Sequence, residues 1–225
     1  MVRVLSSPFR RPRRLVVLAA LVAAMAVLCG ACASSGFAYV SSSDHRAYFK
    51  VPDSWHYFDK RDILIASGKS LSDATNAEFK WLVGFDADPH PDVTHLFAAL
   101  KYPAILSQVQ TMSFAVRDSM SEFAMRNLVF PVDQLLNKAS AEIITLKDVT
   151  LAGGFHGIHM VYDVVPGGTA TVSASPGVLE VNQTTVVDPS NTTLYLLLIQ
   201  CESHCYRDYS SLIDQVAQSW TVKEH

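Results

Sequence analysis

The segment Cys201-Glu202-Ser203-His204-Cys205 places two thiols and an imidazole within five residues. As metal ligands they are one short of the four that structural zinc takes, and the usual two-residue cysteine spacing is missing. A dithiol redox centre also favours Cys-x-x-Cys. The bland reading is a local disulfide with an exposed histidine in its turn. Asp86, Asp88, His90, Asp92 and His95 form a second group, in a loop with two prolines. Carboxylates and imidazoles together suit a divalent cation. The glycine and distant glutamate of an EF-hand are absent, however, and Asp and Pro build turns through their own backbone chemistry. A solvated turn is the expectation. His156 and His159 flank Gly157; three apart on a strand they point to opposite faces and share no metal.

Motifs that would mark a reaction are missing. The chain has no Gly-x-Ser-x-Gly elbow, no His-Glu-x-x-His and no Gly-x-x-x-x-Gly-Lys loop. No catalytic residue, metal ligand or cofactor is assigned, and the expectation is a protein that is not an enzyme. Trp55, Tyr57, Phe58, Trp81 and Trp220 would suit a ligand or carbohydrate platform, but aromatics dominate cores and core packing is expected of them. Asn182-x-Thr184 and Asn191-x-Thr193 match the glycosylation sequon and are read as turn residues.

The N-terminus has the three parts of an export signal: Arg3, Arg10, Arg11, Arg13 and Arg14, an apolar run from Leu15 to Leu28, then small residues. That run is 14 residues long, and a bilayer span takes about 20, so a permanent membrane helix is the weaker reading. Arg13-Arg14 raises twin-arginine export, but the rest of that motif is poorly matched. Leu28-Cys29-Gly30-Ala31-Cys32 resembles a bacterial lipobox, in which small residues give the peptidase access and the cysteine thiol takes the lipid. The aliphatic residue usual three places before the cysteine is here Cys29. The resemblance implies acylation at Cys32, attachment to the extracytoplasmic face of the cell membrane, and residues 1–31 as signal peptide. Ordinary cleavage, giving a secreted protein, is the alternative.

Five of the 18 basic residues and none of the 21 acidic ones precede Cys32, which leaves 13 against 21 and a net charge of −8 after the leader. That balance argues against nucleic acid, whose phosphates need a positive surface. It also argues against a polybasic grip on anionic lipid. Membrane association would come from the N-terminal lipid, and an envelope protein is a candidate partner. With Cys32 acylated, Cys201 and Cys205 are the remaining cysteines, in a compartment where disulfides persist; a bridge between them is expected, fixing a local turn.

The elements that must position these groups follow from periodicity. Residues 32–44 read as anchor cysteine and flexible tether, serine-rich and short, followed by one domain over 45–225. Ala47–Val51 and Trp55–Phe58 read as extended. Phe79, Trp81, Val83 and Phe85 alternate onto one strand face, and Ile105–Met112 reads as another strand. Ser67–Glu78 is a loop or weak helix. Ser119 or Ser121 caps a helix that Pro131 kinks or divides. Ile143–Leu151, Ile158–Val165 and Val178–Val187 are strands. The unbroken apolar run within Leu194–Gln200 predicts a central strand buried on both faces. Leu212, Ile213, Val216 and Trp220 give a closing helix. Short connections predict a mostly antiparallel sheet with helices packed on its faces, an α+β domain.

Phe49-Lys50-Val51-Pro52-Asp53-Ser54-Trp55, the Gly153-Gly154-x-x-Gly157 turn before a strand, and the ending Ser219-Trp220-Thr221-Val222 resemble PsbP-like domains. That superfamily includes an extrinsic photosystem II subunit, a nuclear-import factor that binds a small GTPase, and exported actinobacterial lipoproteins. The resemblance spans residues 45–223 as an order of elements. It implies a PsbP-like sandwich and a binding or scaffolding role without catalysis. Two other roles stay open: a carrier of a small apolar ligand, which would need a large apolar pocket, and a cell-envelope hydrolase, which would need converging polar groups in a cleft.

Overall fold

The computed structural model describes residues 36–70, 79–98 and 101–224. The leader, Cys32 and residues 71–78 of the polar stretch lie outside the described residues.

Two antiparallel sheets carry the fold. The smaller joins β1 (Phe37–Ser41), β2 (Ala47–Pro52) and β10 (Thr221–Val222) in the order β1-β2-β10. The larger holds β3 (His56–Phe58), β4 (Phe79–Asp86), β5 (Ala104–Thr111), β6 (Ala141–Thr150), β7 (His156–Val164), β8 (Leu179–Val187) and β9 (Thr193–Glu202), in the order β3-β4-β5-β9-β8-β7-β6. Among the described residues five α-helices accompany them: α1 (Lys60–Ala66), α2 (Phe114–Ser119), α3 (Glu122–Arg126), α4 (Val132–Leu136) and α5 (Ser203–Ser219). This is an α+β fold.

β9 is the middle strand of seven, and its residues from Thr193 to Cys201 are all buried. Tyr195, Leu197, Ile199 and Cys201 enter one core with Phe49, Phe85, Ile213 and Trp220, beneath α5 and the small sheet. Leu194, Leu196 and Leu198 enter a second core on the opposite face with Met125, Val132, Leu135, Met160 and Tyr162. The β8–β9 hairpin turns at Asp188, whose carboxylate accepts from the backbone N–H groups of Thr192 and Thr193 and from the Ser190 hydroxyl. Burial pushes this carboxyl up, but the hydrogen bonds outweigh it and hold it below the ordinary range.

Three expectations are corrected, and one helix is added that the sequence reading did not assign. Phe37–Ser41 is not tether: its apolar and aromatic residues pair with β2, from Phe37 opposite Pro52 to Ser41 opposite Tyr48. Ser42, almost fully buried, then accepts from the backbone of Ala47 to close the hairpin. The folded domain therefore starts before residue 45. Phe79 does not share a face with Trp81, because the register shifts between them and places Phe79 opposite Gln110. Lys60–Ala66 is a helix, started by the Asp59–Asp62 capping box. Asn182 lies within β8 and is buried, so only Asn191, at φ +52, is a turn residue.

The Pro131 region divides as expected into α3 and α4, with the Ser121 side chain accepting from the Ala124 N–H. Gly153 and Gly154 both have positive φ before β7. Gly157 is needed for a different reason: a Cβ there would lie 2.0 Å from the Thr185 carbonyl oxygen in the adjacent strand. Gly157→Ala is expected to destabilise the protein by about 3 kcal/mol, the upper range for overpacking, read as a lowered denaturant midpoint. An unchanged midpoint would show that β7 and β8 can separate at this point.

Candidate functional site

The groups singled out in the sequence do not converge. Cys201 and Cys205 form a disulfide, with Cα atoms 5.9 Å apart. It ties the end of β9 to the first turn of α5, and both cysteines are buried. His204 is exposed and faces Glu202 at 3.3 Å. In the loop after β4, Asp86 accepts from the backbone N–H groups of Asp88 and Asp92 and meets His95 Nδ1 at 2.7 Å. Asp88 accepts from His90 N–H, and Asp92 from Thr94. The carboxylates are occupied in building the loop. Among the described residues no three His, Cys, Asp or Glu side chains stand close enough to hold a metal.

His156 and His159 face opposite ways, as expected. His156 is exposed, while His159 Nδ1 lies 2.9 Å from the Thr184 hydroxyl. Trp55, Phe58 and Trp220 are core residues; Tyr57 is half exposed and Trp81 partly buried, its ring edge-on to Phe49 at 6.4 Å.

Two sites not foreseen from the sequence stand out, one on each face of the large sheet. The first is polar and lies beneath α5. Glu180, Asn182 and Thr184 alternate along one face of β8, opposite Asp163, Val161 and His159 of β7. Asn182 donates to the Tyr206 hydroxyl at 3.1 Å, and Ser203 donates to Asp163 at 3.2 Å. His159, Asn182, Thr184, Asp214, Gln218 and Trp220 line a cleft of about 320 Å³ there. Asn182 Oδ1 and Trp220 Nε1 are buried and meet no hydrogen-bond partner among the described residues. Burial, then the charge of Asp163, pushes Glu180 up to about 7 against the pull of Arg207. His159 is held below its ordinary value by burial first and then by Lys147. Within this site the Thr184 hydroxyl is the one beside the histidine, but Thr184 is only 7% exposed, which denies a substrate access to it.

The second site is apolar and larger. On the opposite face, α3, α4 and the chain around Phe130 cover one side of the sheet, and the 3-10 turn Val93–Phe97 covers the other. Between them lies a cleft of about 580 Å³, within the range of small-molecule sites. Leu106 of β5, Leu198 and Gln200 of β9, and Leu179 of β8 line it along the sheet; Leu96 and Phe97 line it from the turn, and Leu128, Val129 and Phe130 from the other cover. Gln200 donates its amide to the Leu96 carbonyl at 2.9 Å and so ties the turn to the central strand. Leu96 packs where Gly84 of β4 leaves room; a Cβ on Gly84 would stand 2.3 Å from its Cδ1.

No family model matches this chain, and no curated protein matches it. Solved structures do. Cyanobacterial PsbP from Synechocystis sp. PCC 6803 aligns at a TM-score of 0.49 and 13% identity, over 85% of this chain and 95% of that one. LpqN, involved in cell envelope biogenesis of Mycobacterium tuberculosis, aligns at 0.43 and 16%, over 84% and 91%. The Ran-binding protein Mog1p of Saccharomyces cerevisiae aligns at 0.45 and 11%, over 83% and 95%. Likeness at this level concerns the path of the chain and transfers no ligand, partner or activity.

The polar site predicts a pH dependence. Glu180 has a folded pKa raised from 4.5 to about 7. Its stabilising effect is therefore complete below its unfolded value and is lost as pH rises through about 7. His159, depressed when folded, works in the opposite sense and removes stability as pH falls through its unfolded value of 6.5. Glu180→Gln isolates the first effect. Wild type is expected to lose stability relative to this variant between pH 4.5 and 8, measured as denaturant midpoints. Parallel profiles would show that Glu180 titrates normally.

Proposed function

We propose that the protein is a non-catalytic binding module of the cell envelope that holds an apolar ligand in the cleft between Phe97 and Phe130. The observation that carries this reading is the cleft itself. Its described lining is almost wholly aliphatic and aromatic, and its one internal amide, on Gln200, already bonds Leu96. Such a site gains affinity by removing ligand surface from water. No helix among the described residues is long and apolar enough to cross a membrane. Attachment is proposed through an acyl group on Cys32, which follows the resemblance of Leu28–Cys32 to a lipobox.

A neutral environment-sensitive dye such as N-phenyl-1-naphthylamine is expected to bind with enhanced fluorescence. Leu106→Trp, which fills the cleft from its floor, should weaken that binding at least ten-fold while the thermal midpoint changes little. Dye binding that survives this variant would place the apolar site elsewhere. For the anchor, the full chain expressed in a bacterium that acylates lipoproteins should be recovered from membranes with an acylated Cys32 as first residue. Cys32→Ala should lose the added mass; an unacylated wild-type chain in the medium would refute the anchor.

A further inference from the structure

We infer that the apolar cleft selects amphiphiles with a negatively charged head, a long-chain carboxylate being the simplest, and that Lys69 receives that head. This rests on the cleft being the ligand site.

Lys69 is the single charged residue among the described residues that line the cleft. Its position is fixed by how α1 ends. Gly68 takes φ +71, its N–H bonds the Ile65 carbonyl at 3.0 Å, and the Lys69 N–H bonds the Leu64 carbonyl at 2.9 Å. That pair of bonds is the Schellman ending, in which a glycine turns the chain sharply off the helix. The bulge in β4 completes the arrangement. By shifting the register between Phe79 and Trp81 it brings Phe79 into line with Gln110, on the face of the sheet that bears the cleft. The Lys69 ammonium stands 5.5 Å from the centre of the Phe79 ring. A cation on an aromatic face keeps its outer side free for an anion.

The rest of the lining narrows the ligand. Little inside could satisfy a polar head, because one N–H of the Gln200 amide is given to Leu96 and the neighbouring described side chains are apolar. A buried, unpaired polar group is costly, so the head must lie at the rim. No aspartate or glutamate is among the described lining residues, although acidic residues outnumber basic ones in the chain, 21 to 18. A lysine that is the one charged group among the described residues at the mouth of an apolar cleft favours an anionic head, disfavours a cationic one and is indifferent to a neutral one.

The test displaces N-phenyl-1-naphthylamine with dodecanoate, dodecanol and dodecyltrimethylammonium, each below its micelle concentration, at pH 8 and low salt. Dodecanoate is expected to bind about five-fold more tightly than dodecanol, as a partly exposed ion pair allows, and the ammonium more weakly than either. Lys69→Met should bring dodecanoate to the level of dodecanol and leave dodecanol unchanged; Lys69→Glu should reverse the preference. Equal binding of dodecanoate and dodecanol by wild type, or a preference that survives Lys69→Met, would overturn the role of Lys69 while leaving an apolar-ligand site in place. Failure of all three compounds to displace the dye would overturn the site itself.

Discussion

A strand buried on both faces cannot be satisfied by a cover on one. From Thr193 to Cys201 every side chain of β9 is buried, and each leucine taken out of water is worth about 2 kcal/mol. Both faces of the large sheet therefore have to be covered along its middle. One face is covered by α5, tied to β9 through Cys201–Cys205, and by the small sheet, whose Phe49 packs edge-on to Phe85 with ring centres 6.0 Å apart, with the smaller polar cleft beside α5. Closing so short a loop contributes about 2 kcal/mol on loop-entropy grounds, and its main effect is directional, since it sets where α5 leaves the strand. The other face receives two separate covers, and the cleft is the space left between them.

The walls of that cleft are held by the same sheet that forms its floor. Gln183 of β8 donates to the Met125 carbonyl at 2.8 Å and so fixes α3 against the sheet, while Phe130 meets Tyr162 edge-on at 6.3 Å. On the far side Gln200 and the gap at Gly84 hold Leu96. Buried amides thus act as spacers between β-strands and irregular chain. A ligand entering such a site does not have to order its walls, which is where much of the cost of binding normally lies.

What could be read from the sequence was what one segment determines by itself. The apolar run of β9 announces a central strand because no other environment accepts it. Cys201 and Cys205 find each other because they are four residues apart. Where two distant segments decide, local pattern fails. Phe37–Ser41 looked like the end of a serine-rich tether because its partner, β2, supplies the reason for it to be a strand. The alternating pattern puts Phe79 on the wrong face because a bulge is invisible in it. The polar alternation Glu180-x-Asn182-x-Thr184 was a signal available for the site beneath α5, since three polar residues on one face of a buried strand need partners. The cleft had no such signal: Leu106, Leu198, Phe97 and Phe130 look like any other core residues until a gap between the two covers is seen among the described residues.

The two faces divide the chemistry in a way that bears on function. Catalysis needs groups whose interaction grows as charge develops in the transition state. Of the groups able to do this, His159, Asp163, Glu180 and Asp214 lie under or beside α5, where the hydroxyl nearest His159 belongs to a buried threonine, and the Asp86 carboxylate paired with His95 is taken up in building its loop. The face with the larger cleft offers aliphatic and aromatic walls, an amide with one N–H already bonded to the backbone and a lysine at the rim. Apolar walls stabilise a ligand and its transition state about equally, so they favour occupancy without accelerating a reaction. A cleft of this composition on a rigid sheet is suited to holding a molecule unchanged.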